Sequence, residues 1–308
     1  MTKKFRLLMI SAMYENGGNT THRLLDGHSQ MYVYPFESQL GTARASGPLA
    51  SMFPAKYRWP VFDLEGSPED DFRSIIDEEC RVRANTPHVS KFRHMPFDFS
   101  DKNRKAIYLK KISQYGRSRA NSIRAFFEAT FEAWKDCRRT GSEQYYVGYS
   151  PIVGVDAPSI LSDLPTSHIL HIVRNPWSAY AETKRRPVPM SLKDYLLAWT
   201  TVQHLALIAQ RMEKKRFHIL RYEDIVSNPL KTLGSLCRTL GLRTPESLKT
   251  PSWNGNRLSE VYPWGTIRNA NPDANRATSK ELSAEEIREI RIRAEGFLHP
   301  FQYEKFIQ

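Results

Sequence analysis

The sequence predicts an α/β fold in which helices flank a doubly wound, mostly parallel sheet. Short apolar runs alternate with segments of helical periodicity along the whole chain, the pattern of strands joined by crossover helices. One of the runs, residues 5–13, is nearly continuous in apolar residues, as a strand covered on both sides of a sheet reads. Polar turns bearing glycine or proline follow this run and HILHIV directly, at the strand ends where an open α/β sheet binds its ligands.

Residues 5–13 (FRLLMISAM) are a nearly continuous apolar run and read as a buried strand. A polar turn, YENGGNTT, leads into the helix-compatible HRLLDGH. The aromatic and β-branched MYVYPFE then reads as a second strand. Residues 40–115 mix Gly, Pro and Ser with short charged and apolar segments, and read as loops with one or two helices. In 118–137, Ile123, Phe126, Phe127, Phe131 and Trp134 recur at helical spacing, an amphipathic helix whose stripe packs into the core. YYVGY (145–149), HILHIV (168–173) and FHILRY (217–222) read as further strands. Ser191 and Asp194 suit the start of a long helix to Met212, and Gly241 suits the end of one from Pro229. Ser283 and Glu286 form a capping box for the last helix.

At roughly 150 residues per domain, 308 residues allow one large domain or two small ones. With no internal repeat, the reading is a single domain over 1–308, with insertions at about 40–115 and 245–282. A 40% hydrophobic and 25% charged composition excludes wholesale disorder. The formal charge of +12 favours an anionic partner without choosing among nucleotide, nucleic acid and acidic lipid. Cys80, Cys137 and Cys237 are scattered and odd in number, against a disulfide framework or a structural zinc site and in favour of a reducing compartment. The apolar opening is too short to span a bilayer, so a cytoplasmic protein is expected, with peripheral membrane contact left open. The His residues stand apart in sequence and no metal is expected.

Two turns suit anion chemistry. In Glu15-Asn16-Gly17-Gly18-Asn19-Thr20-Thr21, two glycines let backbone amides approach an anion ahead of a helix N-terminus, and the threonines add hydroxyl donors. No lysine follows at the spacing of a Walker A loop, which counts against a kinase. Arg174-Asn175-Pro176 places a cation at the end of HILHIV, followed by Ser178, Thr183, Lys184, Arg185 and Arg186.

Taken together, these segments resemble the sulfotransferases that use 3′-phosphoadenosine 5′-phosphosulfate (PAPS), and among them soluble bacterial enzymes of the carbohydrate type. The first loop with Leu24-Leu25-Asp26-Gly27-His28, then Ile172-Val173-Arg174-Asn175-Pro176, then Arg221-Tyr222-Glu223-Asp224 with Pro229 and Leu240-Gly241-Leu242, follow the family's order and spacing. The resemblance spans residues 7–38 and 145–242, with a looser tail to Tyr303. It implies a P-loop-kinase-like sheet, PAPS as donor, adenosine 3′,5′-bisphosphate (PAP) as product and no obligatory metal. It implies donor contacts from Asn16, Gly17, Gly18, Asn19, Thr20, Thr21, Arg174, Ser178, Thr183, Arg186, Tyr222, Asn256 and Arg257. Glu37 is the candidate general base for an acceptor hydroxyl.

Two positions depart from the family pattern. Glu15 stands where the first loop normally carries a basic residue, and His22 or Arg23 is the nearest replacement, His22 being a catalytic candidate. Glu182 stands where a serine usually meets the 3′-phosphate, leaving Thr183 or Ser178 to serve. The insertions should shape the acceptor site. Their aromatics (Phe53, Tyr57, Trp59, Phe62, Phe92, Phe97, Trp253, Tyr262, Trp264) and cations suit a glycan or glycolipid hydroxyl. The alternatives are a homologue that binds nucleotide without turnover and a basic nucleic-acid-binding protein. The spread of basic residues and the lack of a nucleic-acid motif disfavour the second.

Overall fold

A computed structural model describes residues 4–44, 49, 52–258 and 271–307. Five strands form the sheet: β1 (Leu7–Ser11), β2 (Met31–Val33), β3 (Tyr145–Tyr149), β4 (His168–Val173) and β5 (Phe217–Arg221). Their order is β2-β3-β1-β4-β5 and every neighbouring pair is parallel. The chain leaves β1 towards β2 on one side and later passes β1 to reach β4 and β5 on the other. The strand order therefore reverses about β1, which puts the natural ligand crevice at the carboxyl ends of β1 and its neighbours.

Helix α1 (Gly18–Asp26) links β1 to β2. Between β2 and β3 lie α2 (Pro68–Ser74), α3 (Glu78–Asn85), α4 (Asp101–Tyr115) and α5 (Arg119–Ala133). Helix α6 (Ala157–Asp163) precedes β4, and α7 (Pro176–Thr183) and α8 (Leu192–Met212) precede β5. After β5 come α9 (Tyr222–Ser227), α10 (Pro229–Thr239), the antiparallel hairpin β6 (Ser252–Trp253) and β7 (Asn256–Arg257), α11 (Pro272–Ser279) and α12 (Ala284–Leu298). Among the described residues no helix is long and apolar enough to cross a membrane.

The continuous apolar reading of β1 has a direct cause. Leu7 and Met9 pack into the core on one face of the sheet with α5 and α6, while Leu8 and Ile10 pack into the other with α1 and α10. A third cluster joins α7, α8 and α12. Helices stand on both faces, as a doubly wound sheet requires.

Three boundaries differ from the sequence reading. MYVYPFE pairs only over Met31–Val33, because Pro35 has no amide for the ladder and β2 lies at the sheet edge. The described residues of 40–115 hold three α-helices rather than one or two, and α2 and α3 are too short, at 7 and 8 residues, to display a period. The helix after Ser118 ends at Ala133, with Trp134 as its C-cap.

Candidate active site

A cleft of about 730 Å³ opens over the carboxyl ends of β1, β3 and β4. One wall comes from the β1 turn, the end of β4, the residues after α7, and α11. The other comes from the end of β2 and from the 40–115 segment.

The β1 turn reverses through two left-handed residues, Glu15 (φ 59°) and Gly17 (φ 89°). A Cβ on Gly17 would stand 2.0 Å from the Tyr222 ring, and one on Gly18 would stand 2.3 Å from Tyr149. Both positions therefore demand glycine, the first for its conformation and its space, the second for space alone. Helix α1 starts at Gly18, and its first intrahelical acceptor serves Thr21 N. The amides before that have no carbonyl within the helix, and Gly17, Gly18, Asn19 and Thr20 all line the cleft. Open amides at a helix N-terminus have the geometry and the partial positive charge to receive an anion.

At the end of β4, Asn175 caps α7 by accepting from Ser178 N at 2.8 Å, and Pro176 opens the helix. Arg174 N donates to Asn16 Oδ1 at 3.0 Å, which ties the first two motifs together. The Arg174 guanidinium is 4% exposed and fully engaged. It donates to Asn275 Oδ1 at 2.7 Å, to the Glu15 carbonyl at 2.8 Å and to Glu182 Oε1 at 3.1 Å, and stacks 4.8 Å over the Tyr222 ring. The acid at position 182 is thus the ion-pair partner of Arg174. Glu223 brings in the third motif: Oε1 accepts from Asn175 Nδ2 at 2.7 Å and Asn275 Nδ2 at 3.1 Å, and Oε2 from the Tyr303 hydroxyl at 2.7 Å.

Glu37 lines the opposite wall with Glu79, Tyr57 and Lys91. Burial pushes its carboxyl up to about 7; Glu79 adds to the shift, while Lys91 and a hydrogen bond from Tyr57 oppose it. Its backbone amide donates to Glu79 Oε2 at 3.1 Å, and Glu79 pairs with Lys91. Burial also raises the Tyr14 phenol, to about 12, at the junction of the two walls. A carboxyl that titrates near neutrality and faces a cleft suits proton abstraction from a hydroxyl.

The cleft unites Gly17, Gly18, Asn19, Thr20, Glu37, Arg174, Arg186 and Tyr222 from the sequence-derived set. The other members lie elsewhere. Asn16 is buried behind the turn, holding Arg174 N and the Tyr14 carbonyl. Thr21, Ser178 and Thr183 are buried, and their hydroxyls donate to the carbonyls of Gly17, Asn275 and Ala179. His22 is buried behind Tyr149 and accepts from Arg23 at 2.8 Å; burial and Arg23 hold its imidazole well below the usual range, so it carries no charge to the cleft. Asn256 and Arg257 form the exposed strand of the hairpin whose Gly255 amide and Ser252 hydroxyl bind Asp26, at the far end of α1. A helix of nine residues spans about 13 Å, so they do not reach its N-terminus.

The insertions contribute less obviously. Of the aromatics singled out in sequence, Tyr57 and Phe92 line the cleft, whereas Phe53, Trp59, Phe97 and Trp253 are buried in the core. Tyr262 and Trp264 lie outside the described residues. Glu78, Glu79, Lys56, Lys91 and Asn275 reach the cleft without any motif to announce them. Their one sequence signal was position inside an insertion.

A family model described as the sulfotransferase family matches residues 67–246, and the chain belongs to that family. The match takes in the Arg174 and Arg221–Asp224 segments; the β1 turn lies before it. Among solved structures, the sulfotransferase domain from the Synechococcus PCC 7002 olefin synthase is similar at 17% identity and a TM-score of 0.57, over 96% of each chain. The sulfotransferase domain from the curacin biosynthetic pathway is similar at 15% identity and a TM-score of 0.52, over 96% of this chain and 99% of that one. At these identities the likeness is one of fold. No curated protein matches the sequence.

Proposed function

We propose that this sulfotransferase moves a sulfuryl group from PAPS to the hydroxyl of a glycan or glycolipid. The observation that carries the reading is a single cleft holding open helix amides on one wall and a carboxyl near neutral pKa on the other. The residues fit an anionic nucleotide: the amides of Gly17 to Thr20, with Arg186 at the rim, offer donors and positive potential. Bound there, the nucleotide would supply an electrophilic sulfuryl group on a good leaving group. In-line transfer of this kind depends on positioning and charge stabilisation more than on covalent chemistry by the protein.

Glu37 takes the proton from the acceptor hydroxyl, with Tyr57 orienting its carboxyl. Lys91 is held beside it by Glu79 and keeps the site's charge balanced. Tyr222 packs against Gly17 and supports the β1 turn from below. The acceptor wall combines Gln39, Glu78, Ser90 and Lys91 with Tyr57 and Phe92, a polar and aromatic lining that suits a sugar ring. Three free thiols accord with a reducing, cytoplasmic setting.

A second reading, nucleotide binding without turnover, is favoured by the Arg174–Glu182 pair alone. Calorimetric titration with PAP, with ATP·Mg as control, tests the donor, and labelled PAPS with a panel of hydroxyl acceptors tests turnover. Micromolar or tighter binding of PAP alone, with label transferred to a saccharide, is the expected result. Binding without transfer to any acceptor selects the second reading; preference for ATP·Mg overturns both.

A further inference from the structure

Glu15 sits at the foot of the open α1 amides and lines the cleft with a side chain that is 16% exposed. Charged groups meet it from two segments. Arg186, after α7, stands with Nε 4.0 Å from its carboxylate and is itself 39% exposed. Arg174, at the end of β4, donates from Nη1 to the Glu15 carbonyl and pairs through the same atom with Glu182 of α7 at 3.0 Å. Tyr149 of β3 and Tyr195 of α8 also face it, but burial raises both phenols and keeps them neutral. Asn275 of α11, on the other side of Arg174, carries no charge.

The charge balance follows from these contacts. Arg174 is spent on Glu182, and Arg186 reaches Glu15 only at the limit of an ion pair. An anion seated on the amides of Gly17 to Thr20 would meet the Glu15 carboxylate as a like charge. Burial and Glu182 already push this carboxyl up, with Arg186 and Arg174 opposing. A neutral carboxyl in the same place has an O–H to donate to the anion.

We propose that Glu15 is a proton-coupled anion receptor: its carboxylate takes one proton from solvent as the anion binds, and the resulting O–H donates a hydrogen bond to it. The inference rests on the reading of this wall as the site of an anionic nucleotide. Glu15 thereby becomes a determinant of donor affinity, strongest at low pH, instead of an obstacle to binding.

The test is titration of the parent and Glu15→Gln with PAP over about pH 5 to 8, in two buffers of different ionisation enthalpy. The phosphates of PAP also titrate, near pH 6, and their share cancels in the difference between the two proteins. The parent is expected to take up as much as one proton more than the variant. Its affinity relative to the variant should fall by up to tenfold per pH unit as pH rises. Equal proton counts and parallel pH profiles overturn the proposal. Glu182→Gln provides a second check, since loss of the Glu182 charge should move the fall in affinity to lower pH; an unmoved fall counts against it. Inorganic pyrophosphate separates the two readings. If PAP fails to bind but pyrophosphate binds with uptake that Glu15→Gln removes, the nucleotide is wrong and the receptor stands. If neither anion binds, both fall.

Discussion

The two walls of the cleft are built on different principles. The wall proposed to hold the donor hangs on the ends of adjacent strands: the β1 turn, Arg174 at the end of β4 and Tyr222 after β5 are locked by hydrogen bonds through Asn16, Asn275 and Glu223. The wall proposed to face the acceptor hangs on helices and loops drawn from the 40–115 segment. Its anchor is Asp77, a left-handed residue (φ 35°) at the start of α3, whose carboxylate accepts from Arg104 at 2.6 Å and Tyr34 at 2.8 Å with no exposure. Arg104 is in turn stacked against Phe72, Phe99 and Phe126. One wall is fixed by a left-handed turn and a network of side-chain hydrogen bonds between strand ends, the other by a single buried charge cluster. The first should fail when its turn backbone is altered; the second should fail when its buried charge is removed.

The largest effect is expected where the walls have separate tasks. Glu37→Gln should lower turnover by about 10²- to 10⁴-fold and leave PAP affinity within a factor of about two. The parent's kcat/KM should rise with pH through about 7, because the ionised form is the base and burial raises this carboxyl to that value. The variant should lose that limb. A proportionate loss of PAP affinity, or an unchanged pH limb, would erase the division of labour.

Asp77→Ala strips the 40–115 wall of its anchor and leaves the buried Arg104 with Asp101 as its remaining ion-pair partner. Loss of a buried ion-pair partner costs about 3–5 kcal/mol, to be read as a fall in midpoint by denaturant titration. Without denaturant, at temperatures where the variant stays folded, PAP should still bind while acceptor KM rises.

Gly17→Ala attacks the other wall. Left-handed strain costs about 1–3 kcal/mol, and the added methyl must displace the Tyr222 ring. Donor affinity should fall more than stability does, and a Gly17→Ala variant that binds PAP like the parent would refute the anion site. The smallest effect is expected for Lys56→Ala. Its pair with Glu78 is 2.6 Å long but solvent-exposed, and such pairs are worth about 0–1 kcal/mol. Thermal stability should barely change, and any effect should appear in acceptor KM.

The segments that form the β1-turn and Arg174 wall were legible in the sequence, whereas of the opposite wall only Glu37 and two aromatics were singled out. A turn that must let backbone amides meet an anion needs glycine at fixed places, and Arg174-Asn175-Pro176 marks a strand end and a helix start in three residues. Such local geometry leaves a local signature. The roles of Ser178, Thr183 and His22 were less legible, because a side chain's direction depends on what packs against it. Each turned inward, to a helix carbonyl or behind Tyr149.

By itself the sequence determined the alternation of strands and helices, the order of the three motif segments and the glycine turn, since each depends on neighbours within a few residues. The tertiary structure alone decided that Arg174 would be held by Glu182, that Arg104 would anchor the start of α3, and that Glu37 would share a cleft with Glu79 and Lys91. Those outcomes depend on burial and charge between residues far apart in sequence. Periodicity carries no record of distances of that kind.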